Sequence, residues 1–350
     1  MNIDILYKKL KQSKLDAAIF FSSENSKDVN FDYFSDFKNP TFSFLIVCKK
    51  SFIAASSIDY ERALEESGLD VIKLKDYKYN LKKIIKEKTK AKKIGILFSS
   101  MPYSIAKSLR GYKLVSISEQ VQSIRAIKSK KEISYIKRAC EIANKCIKHI
   151  ETQFSKFRNE KEIFFEIKDV IEKKKGDGFS FDPIIVSGNR SALIHPYPSF
   201  SNKKISKGLG LIDFGVKYKG YCSDVTLPFS VDSLNKKQKA IVEAVLDAYG
   251  NCKDMMKDRQ SINEIFKVAE KTINKHGFEF KHAAGHGIGL EVHDPPSLSI
   301  SAKNERLKKN MIVTLEPGVY EVGIGGCRLE NDFLIGKKPI ALTNSEFKEF

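Results

Sequence analysis

Residues 282–296 read His282-Ala283-Ala284-Gly285-His286-Gly287-Ile288-Gly289-Leu290-Glu291-Val292-His293-Asp294-Pro295-Pro296. Three of the chain's six histidines fall in this stretch, and glycine recurs at 285, 287 and 289. A glycine run of this kind can cradle a phosphate, but only where a strand leads through a turn into a helix, and that setting is missing here. The imidazoles are the more informative signal, and they direct attention to the acids on either side.

Two acids close apolar runs: Asp213 follows Leu209–Ile212, and Glu316 follows Met311–Leu315. Asp224 ends Tyr221-Cys222-Ser223-Asp224, and Glu330 ends Arg328-Leu329-Glu330. A carboxylate at the end of an apolar strand tends to be buried, and a buried charge needs a partner. Taken singly, each acid could pair with a lysine or arginine, or cap a turn. Taken together, five acid or imidazole groups at strand and turn ends repel one another unless cations hold them. Two divalent ions coordinated by Asp213, Asp224, His286, Glu316 and Glu330 resolve that conflict. Oxygen-rich ligation with a single imidazole suits Mn, Co, Fe or Zn, and Mn is the expected choice.

The order and spacing of these groups resemble the pita-bread metallopeptidases, a family that includes methionine aminopeptidase, aminopeptidase P and prolidase. The resemblance covers residues 122–335. It rests on Asp213 and Asp224 eleven apart, Gly285-His286-Gly287-Ile288-Gly289, Glu316-Pro317-Gly318 and Arg328-Leu329-Glu330. It implies that Asp213 chelates one metal, His286 and Glu316 the other, and that Asp224 and Glu330 bridge both. It further implies that His195 and His293 flank the scissile bond. His282, Tyr320 and Arg328 match positions that contact substrate or support the ligands in the proline-specific branch. Glu316 is then the general base for the attacking water, with His293 a donor to the oxyanion.

Three features resemble the proline-specific branch more than methionine aminopeptidase: an amino-terminal α/β region, the linker Gln122–Ser129 followed by Glu132-Ile133, and the segment Gly289–Asp294. The expected activity is that of an Xaa-Pro aminopeptidase acting on peptides with proline second. The alternative is an Xaa-Pro dipeptidase (prolidase), and a remoter one is a binding protein of the same fold without catalysis. The family's usual homodimer is expected. The stretch Tyr33-Phe34-Ser35-Asp36-Phe37 resembles a family Tyr-Leu-Thr-Gly-Phe, with Asp36 where glycine is usual. Cys222 and Cys327, shortly before Asp224 and Glu330, make sensitivity to oxidation an expectation.

The fold class expected is α+β, a pita-bread catalytic domain over 128–350 preceded by a smaller creatinase-like α/β domain over 1–127. Short apolar runs at Ala17–Phe21, Phe44–Cys48, Phe52–Ala55, Val71–Leu74 and Ile94–Phe98 read as strands, alternating with helices near Asp4–Lys11, Tyr60–Ser67, Tyr79–Lys88 and Pro102–Leu109. Ser129 with Glu132 three residues on predicts a capping box opening a helix to about Ile150. Further helices are expected over Lys161–Lys173, Lys236–Met256 and Ser261–His276, with Gly277 ending the last. Strands are expected at Ile184–Ser187, Leu209–Val216, Tyr221–Phe229, Ile312–Leu315 and Phe333–Ile335.

Composition narrows the class. With 350 residues, 42% hydrophobic and 30% charged, the chain reads as a two-domain globular protein. No run of 18 or more apolar residues suggests a membrane span, and no apolar signal segment is read near the start. Six scattered cysteines without a CxxC pair read as free thiols in a reducing cytoplasm. The net charge of +18 and the run Lys82, Lys83, Lys86, Lys88, Lys90, Lys92 and Lys93 could attract nucleic acid. No recognition motif accompanies them, so nucleic acid is not an expected partner and the lysines read as a solvated face.

Overall fold

The computed structural model describes residues 2–302 and 304–350. The chain divides into two compact units, Met1–Ile124 and Arg125–Phe350.

In the first unit a mixed six-stranded sheet runs in the spatial order Asp70–Lys73, Phe52–Ala55, Phe42–Val47, Ala17–Ser23, Lys93–Ile96, Lys113–Ser116. Ala17–Ser23 is antiparallel to Phe42–Val47 and parallel to Lys93–Ile96. One face of this sheet buries Ile19, Phe21, Phe44 and Ile46 against Ile84 and Ile85 of helix Leu81–Lys88. All five expected strands are present. Helix Val29–Ser35 was not expected; its Phe31, Tyr33 and Phe34 are of types that favour strands. It forms because the Asp28 side chain accepts from the Asn30 N–H and caps it. It ends at Asp36 with φ of 58°, a left-handed conformation that aspartate tolerates and glycine adopts freely.

The second unit opens with helix Lys130–Gln153. The Ser129 side chain accepts from the Glu132 N–H while the Glu132 carboxylate accepts from the Ser129 N–H, a reciprocal cap contributing about 1 kcal/mol. Its apolar stripe and that of helix Glu160–Lys173 pack on strands Gly208–Phe214 and Val225–Val231. Helices Lys236–Lys253 and Ile262–Lys275 likewise cover Val313, Leu315 and Phe333. Gly277 follows the latter at φ of 82°, as a terminating glycine should.

Each helix pair thus backs a separate sheet. One sheet has the order Lys348–Glu349, Val225–Val231, Gly208–Phe214, Ile184–Ser187. The other has the order Asp294–Ser297, His286–Gly287, Ile312–Leu315, Asn331–Leu334, Ile340–Ala341. A two-residue bridge, Thr226 opposite Glu330, joins the sheets, and a ribbon of Gly318–Glu321 with Gly325–Arg328 lies beside it. The polar residues singled out above cluster about this join. Among the described residues no helix is long and apolar enough to cross a membrane.

Candidate active site

Register decides which side chains meet. Asp213 lies opposite Thr226 across the antiparallel pair Gly208–Phe214 and Val225–Val231, and Thr226 bridges to Glu330. Glu316 directly follows strand Ile312–Leu315, whose neighbour His286–Gly287 brings the imidazole alongside. The close approach needs a glycine. A Cβ on Gly285 would lie 2.1 Å from the carbonyl oxygen of Thr314, so only glycine lets the His286 strand pack there.

Asp224, His286 and Glu330 offer donor atoms that all lie within 4.8 Å of one another. His286 Nε2 is 3.6 Å from Asp224 Oδ2 and 3.4 Å from Glu316 Oε1. Asp213 completes the acidic group through its neighbour Arg328, whose Nη2 donates to Asp213 Oδ2. The guanidinium also donates from Nη1 to Tyr320 Oη at 2.7 Å and from Nε to Thr226 Oγ1 at 3.1 Å. Thr226 in turn donates to Glu330 Oε2 at 2.7 Å. The partner that could have neutralised Asp213 is therefore present, but it engages one oxygen only.

Burial pushes the carboxyls of Asp224, Glu316 and Glu330 above their ordinary range. For Asp224 and Glu330 the neighbouring acids push the same way. Burial disfavours the Arg328 cation, but Tyr320, Asp213, Glu330 and Glu316 outweigh it and hold the guanidinium charged. The Tyr320 hydroxyl is pushed up to about 12 by burial.

The donor set suits a divalent cation. Among the described residues Asp213 Oδ1 and Asp224 Oδ1 are buried and lack a hydrogen-bond partner. His286 Nδ1–H donates to the Gly287 carbonyl at 3.1 Å, which leaves Nε2 with a bare lone pair. Burial lowers the His286 pKa, keeping the ring neutral. The lone pair of a neutral imidazole then faces carboxyl oxygens that repel one another when ionised, an arrangement that a cation turns from repulsive to attractive.

Three further imidazoles surround the cluster. His293 sets its ring edge-on to His286, with centroids 4.4 Å apart, and is exposed at the edge of the cluster. His282 donates from Nδ1 to the Ala283 carbonyl at 2.8 Å, lies 4.0 Å from Glu316 Oε2, and has a buried Nε2 without a partner among the described residues. His195 is exposed on the loop after Gly188–Ala192, near enough for its charge to bear on both His282 and His293. All ten residues singled out in the sequence thus fall in or beside one cluster.

Sequence reasoning missed the supports. Thr226 reads as an ordinary strand former, yet it links Arg328 to Glu330. Asp332 Oδ2 accepts from the Asp224 N–H at 3.0 Å and from the Cys140 thiol at 3.3 Å. Arg125 donates to Asp294 and, at 2.8 Å, to Glu291, while Lys128 lies 3.7 Å from Asp294. These contacts brace the segment that carries His293. The Arg125 and Asp294 signals were available, since both lie within quoted motifs; a buried threonine leaves none. The expected oxidation sensitivity finds no support: Cys222 and Cys327 are buried, their thiols pushed up to about 11 and about 12, so reactive thiolate is scarce.

The chain matches Metallopeptidase family M24 over residues 134–337 and the Creatinase/Prolidase N-terminal domain over residues 3–127. The Xaa-Pro dipeptidase of Pyrococcus furiosus is 32% identical over 349 residues, which span 96% of this chain and 99% of that protein. The prolidase of Pyrococcus horikoshii OT3 superposes with a TM-score of 0.86 at 31% identity, covering 99% of both chains. The X-Pro aminopeptidase of Thermotoga maritima MSB8 gives 0.85 at 29% identity, again covering 99% of both. This chain is a member of metallopeptidase family M24. Its fold is a creatinase-type amino-terminal domain followed by a pita-bread domain.

Proposed function

We propose that this enzyme is an Xaa-Pro dipeptidase, hydrolysing the bond between an amino-terminal residue and a carboxy-terminal proline. The observation that carries this reading is the near-full-length similarity to proteins named Xaa-Pro dipeptidase, joined to a buried acid cluster with a bare imidazole nitrogen. The sequence alone leaned toward the aminopeptidase; these relatives favour the dipeptidase instead. The structural likeness to an X-Pro aminopeptidase keeps that activity as the second reading.

In this reading Asp213, Asp224, His286, Glu316 and Glu330 hold two divalent ions, with Mn favoured by the oxygen-rich donor set. Such ions, when bound, would lower the pKa of a coordinated water and polarise the scissile carbonyl. The chain's own groups do the rest. Glu316, which directly follows strand Ile312–Leu315 beside His286, takes the proton of the attacking water. His293, at the edge of the cluster beside His286, donates to the developing oxyanion. His282 keeps its bare Nε2 for a substrate N–H, and His195 orients the substrate amide. Arg328 fixes Asp213 and, through Thr226, Glu330. A homodimer and a reducing cytoplasmic setting belong to the same proposal, the latter supported by six unpaired cysteines.

The test is hydrolysis by Mn-loaded enzyme of an Xaa-Pro dipeptide beside an Xaa-Pro-Pro tripeptide. The dipeptidase reading expects turnover of the dipeptide alone. Comparable turnover of the tripeptide replaces it with the aminopeptidase, and turnover of neither overturns both.

A further inference from the structure

Glu160, the first residue of helix Glu160–Lys173, is a buried carboxylate far in sequence from the acid cluster. Its Oε1 accepts from the Ser187 N–H at 3.1 Å. Its Oε2 accepts from the Ser201 N–H and the Ser201 hydroxyl, each at 3.0 Å, and from Arg190 Nη1. Arg190 reaches onward, donating from Nη2 to the Pro198 carbonyl and from Nη1 to Ser201 Oγ at 3.1 Å. Ser187 and Ser201 are the two feet of one loop, and Arg190 and Pro198 lie inside it. The near foot is tied down again where Ser191 Oγ accepts from the Gly326 N–H at 2.9 Å, on the strand that carries Arg328. Between these anchors the tip projects outward: Leu193 is 48% and Tyr197 99% exposed. His195 is at that tip.

Ile194 packs against Ile184, Val186, Leu211 and Tyr320, and Pro196 is buried, but the exposed residues between them leave part of the loop's shape to its feet. Here one carboxylate and one guanidinium hold both feet. The pairing spans 30 residues, and the pair's side-chain hydrogen-bond partners among the described residues are Ser187, Pro198 and Ser201 rather than the acid cluster. We propose that the Glu160–Arg190 pair is a positioning device for the loop that carries His195, setting where that imidazole stands relative to the acid cluster. Glu160 and Arg190 are positioning residues that act through His195 and touch no reacting atom. The inference rests on the peptidase reading for its kinetic consequences, and on the hydrogen-bond geometry alone for its mechanical ones.

Two readouts separate these. In hydrogen-exchange mass spectrometry of the full chain, Glu160→Gln and Arg190→Ala should each speed amide exchange within residues 189–201 by about tenfold, leaving helix Lys130–Gln153 unchanged. In Mn-loaded enzyme acting on an Xaa-Pro dipeptide, both variants should lower kcat by on the order of 10–10²-fold with KM and metal content nearly unchanged. The double variant Glu160→Gln/His195→Ala should be no slower than His195→Ala alone, since a displaced His195 and a missing one are equivalent. Losses that multiply in the double variant, or unaltered loop exchange in both single variants, overturn the proposal. Should Glu160→Gln fold poorly, Arg190→Ala breaks the same pair from its partly exposed end. If the wild type cleaves neither proline peptide, the dipeptidase reading fails while loop exchange still decides the clamp.

Discussion

Thr226→Val isolates the hydroxyl that couples Arg328 to Glu330. The side chain is fully buried, donates to Glu330 Oε2 at 2.7 Å and accepts from Arg328 Nε at 3.1 Å. Valine keeps the shape and removes both bonds, leaving a buried guanidinium N–H and a buried carboxyl oxygen unsatisfied. A hydrogen bond to a charged group contributes about 1.5–3 kcal/mol. Two such bonds, reduced for local relaxation and for the added apolar methyl, give an expected destabilisation of about 2–4 kcal/mol. The assay is urea denaturation of EDTA-treated protein followed by far-ultraviolet circular dichroism. Thr226→Ser is the control, because it keeps the hydroxyl and loses one buried methyl, at about 1 kcal/mol. Metal affinity should drop by roughly 10–100-fold in the valine variant, as when a ligand loses its supporting donor. A valine variant within about 1 kcal/mol of wild type, or a serine variant as damaged as valine, would refute the coupling.

Arg328→Lys should lower kcat/KM strongly despite keeping the charge, because one ammonium cannot reach Asp213, Tyr320 and Thr226 in the geometry of the guanidinium fork; steady-state kinetics on an Xaa-Pro dipeptide checks it. EDTA should abolish hydrolysis and lower Tm, and added Mn should restore both, with stabilisation growing to about 2.7 kcal/mol at a hundredfold excess over Kd. Gly289→Ala should destabilise the His293 segment, since the new Cβ would stand 2.1 Å from Asp294 Oδ2; loss of activity with increased protease sensitivity near residue 290 is the expected result. Asp32 belongs to the amino-terminal unit, and burial raises its pKa from 3.8 to about 6. A carboxyl whose folded pKa is raised favours the folded state at low pH, and that contribution disappears as pH climbs from about 4 to 6. Asp32→Asn should remove this dependence and stabilise the protein at pH 8 by on the order of 1–2 kcal/mol, which denaturant midpoints at pH 5 and pH 8 would show.

Residues whose chemistry is hard to explain as packing were legible in the sequence. Asp213 and Glu316 beside apolar strands, and His286 between glycines, demanded a reason to be there, and the structure brings them together with Asp224 and Glu330. Ser129 with Glu132 was legible because a cap is a local event. What escaped was non-local or chemically plain. Helix Val29–Ser35 depends on the Asp28 cap overriding an aromatic run that favours strands. Thr226, Asp332 and Glu160 gain their meaning only from partners 104, 108 and 27 residues away. Dipeptidase and aminopeptidase could not be separated from motifs, because both share the bond-breaking groups and differ in what accommodates the chain beyond proline.

The charge of the site connects these observations. Asp213, Asp224, Glu316 and Glu330 are four carboxylates against one guanidinium, Arg328, with His286 kept neutral by its burial. Fully ionised, the group carries three excess negative charges in a region where Asp224, Glu316 and Glu330 are pushed toward protonation. One divalent cation would leave a deficit of a single positive charge, and two would leave an excess of one. Burial penalises either residue of charge far less than the original three. Only the two-cation state, however, leaves a net positive site able to attract an anion, as the developing oxyanion of an attacked amide requires. Metal stoichiometry is therefore a direct test of the chemistry: protein that is fully active with one tightly bound ion per chain, and gains nothing from a second, would overturn the two-ion reading and leave His293 as the chain's donor to the oxyanion.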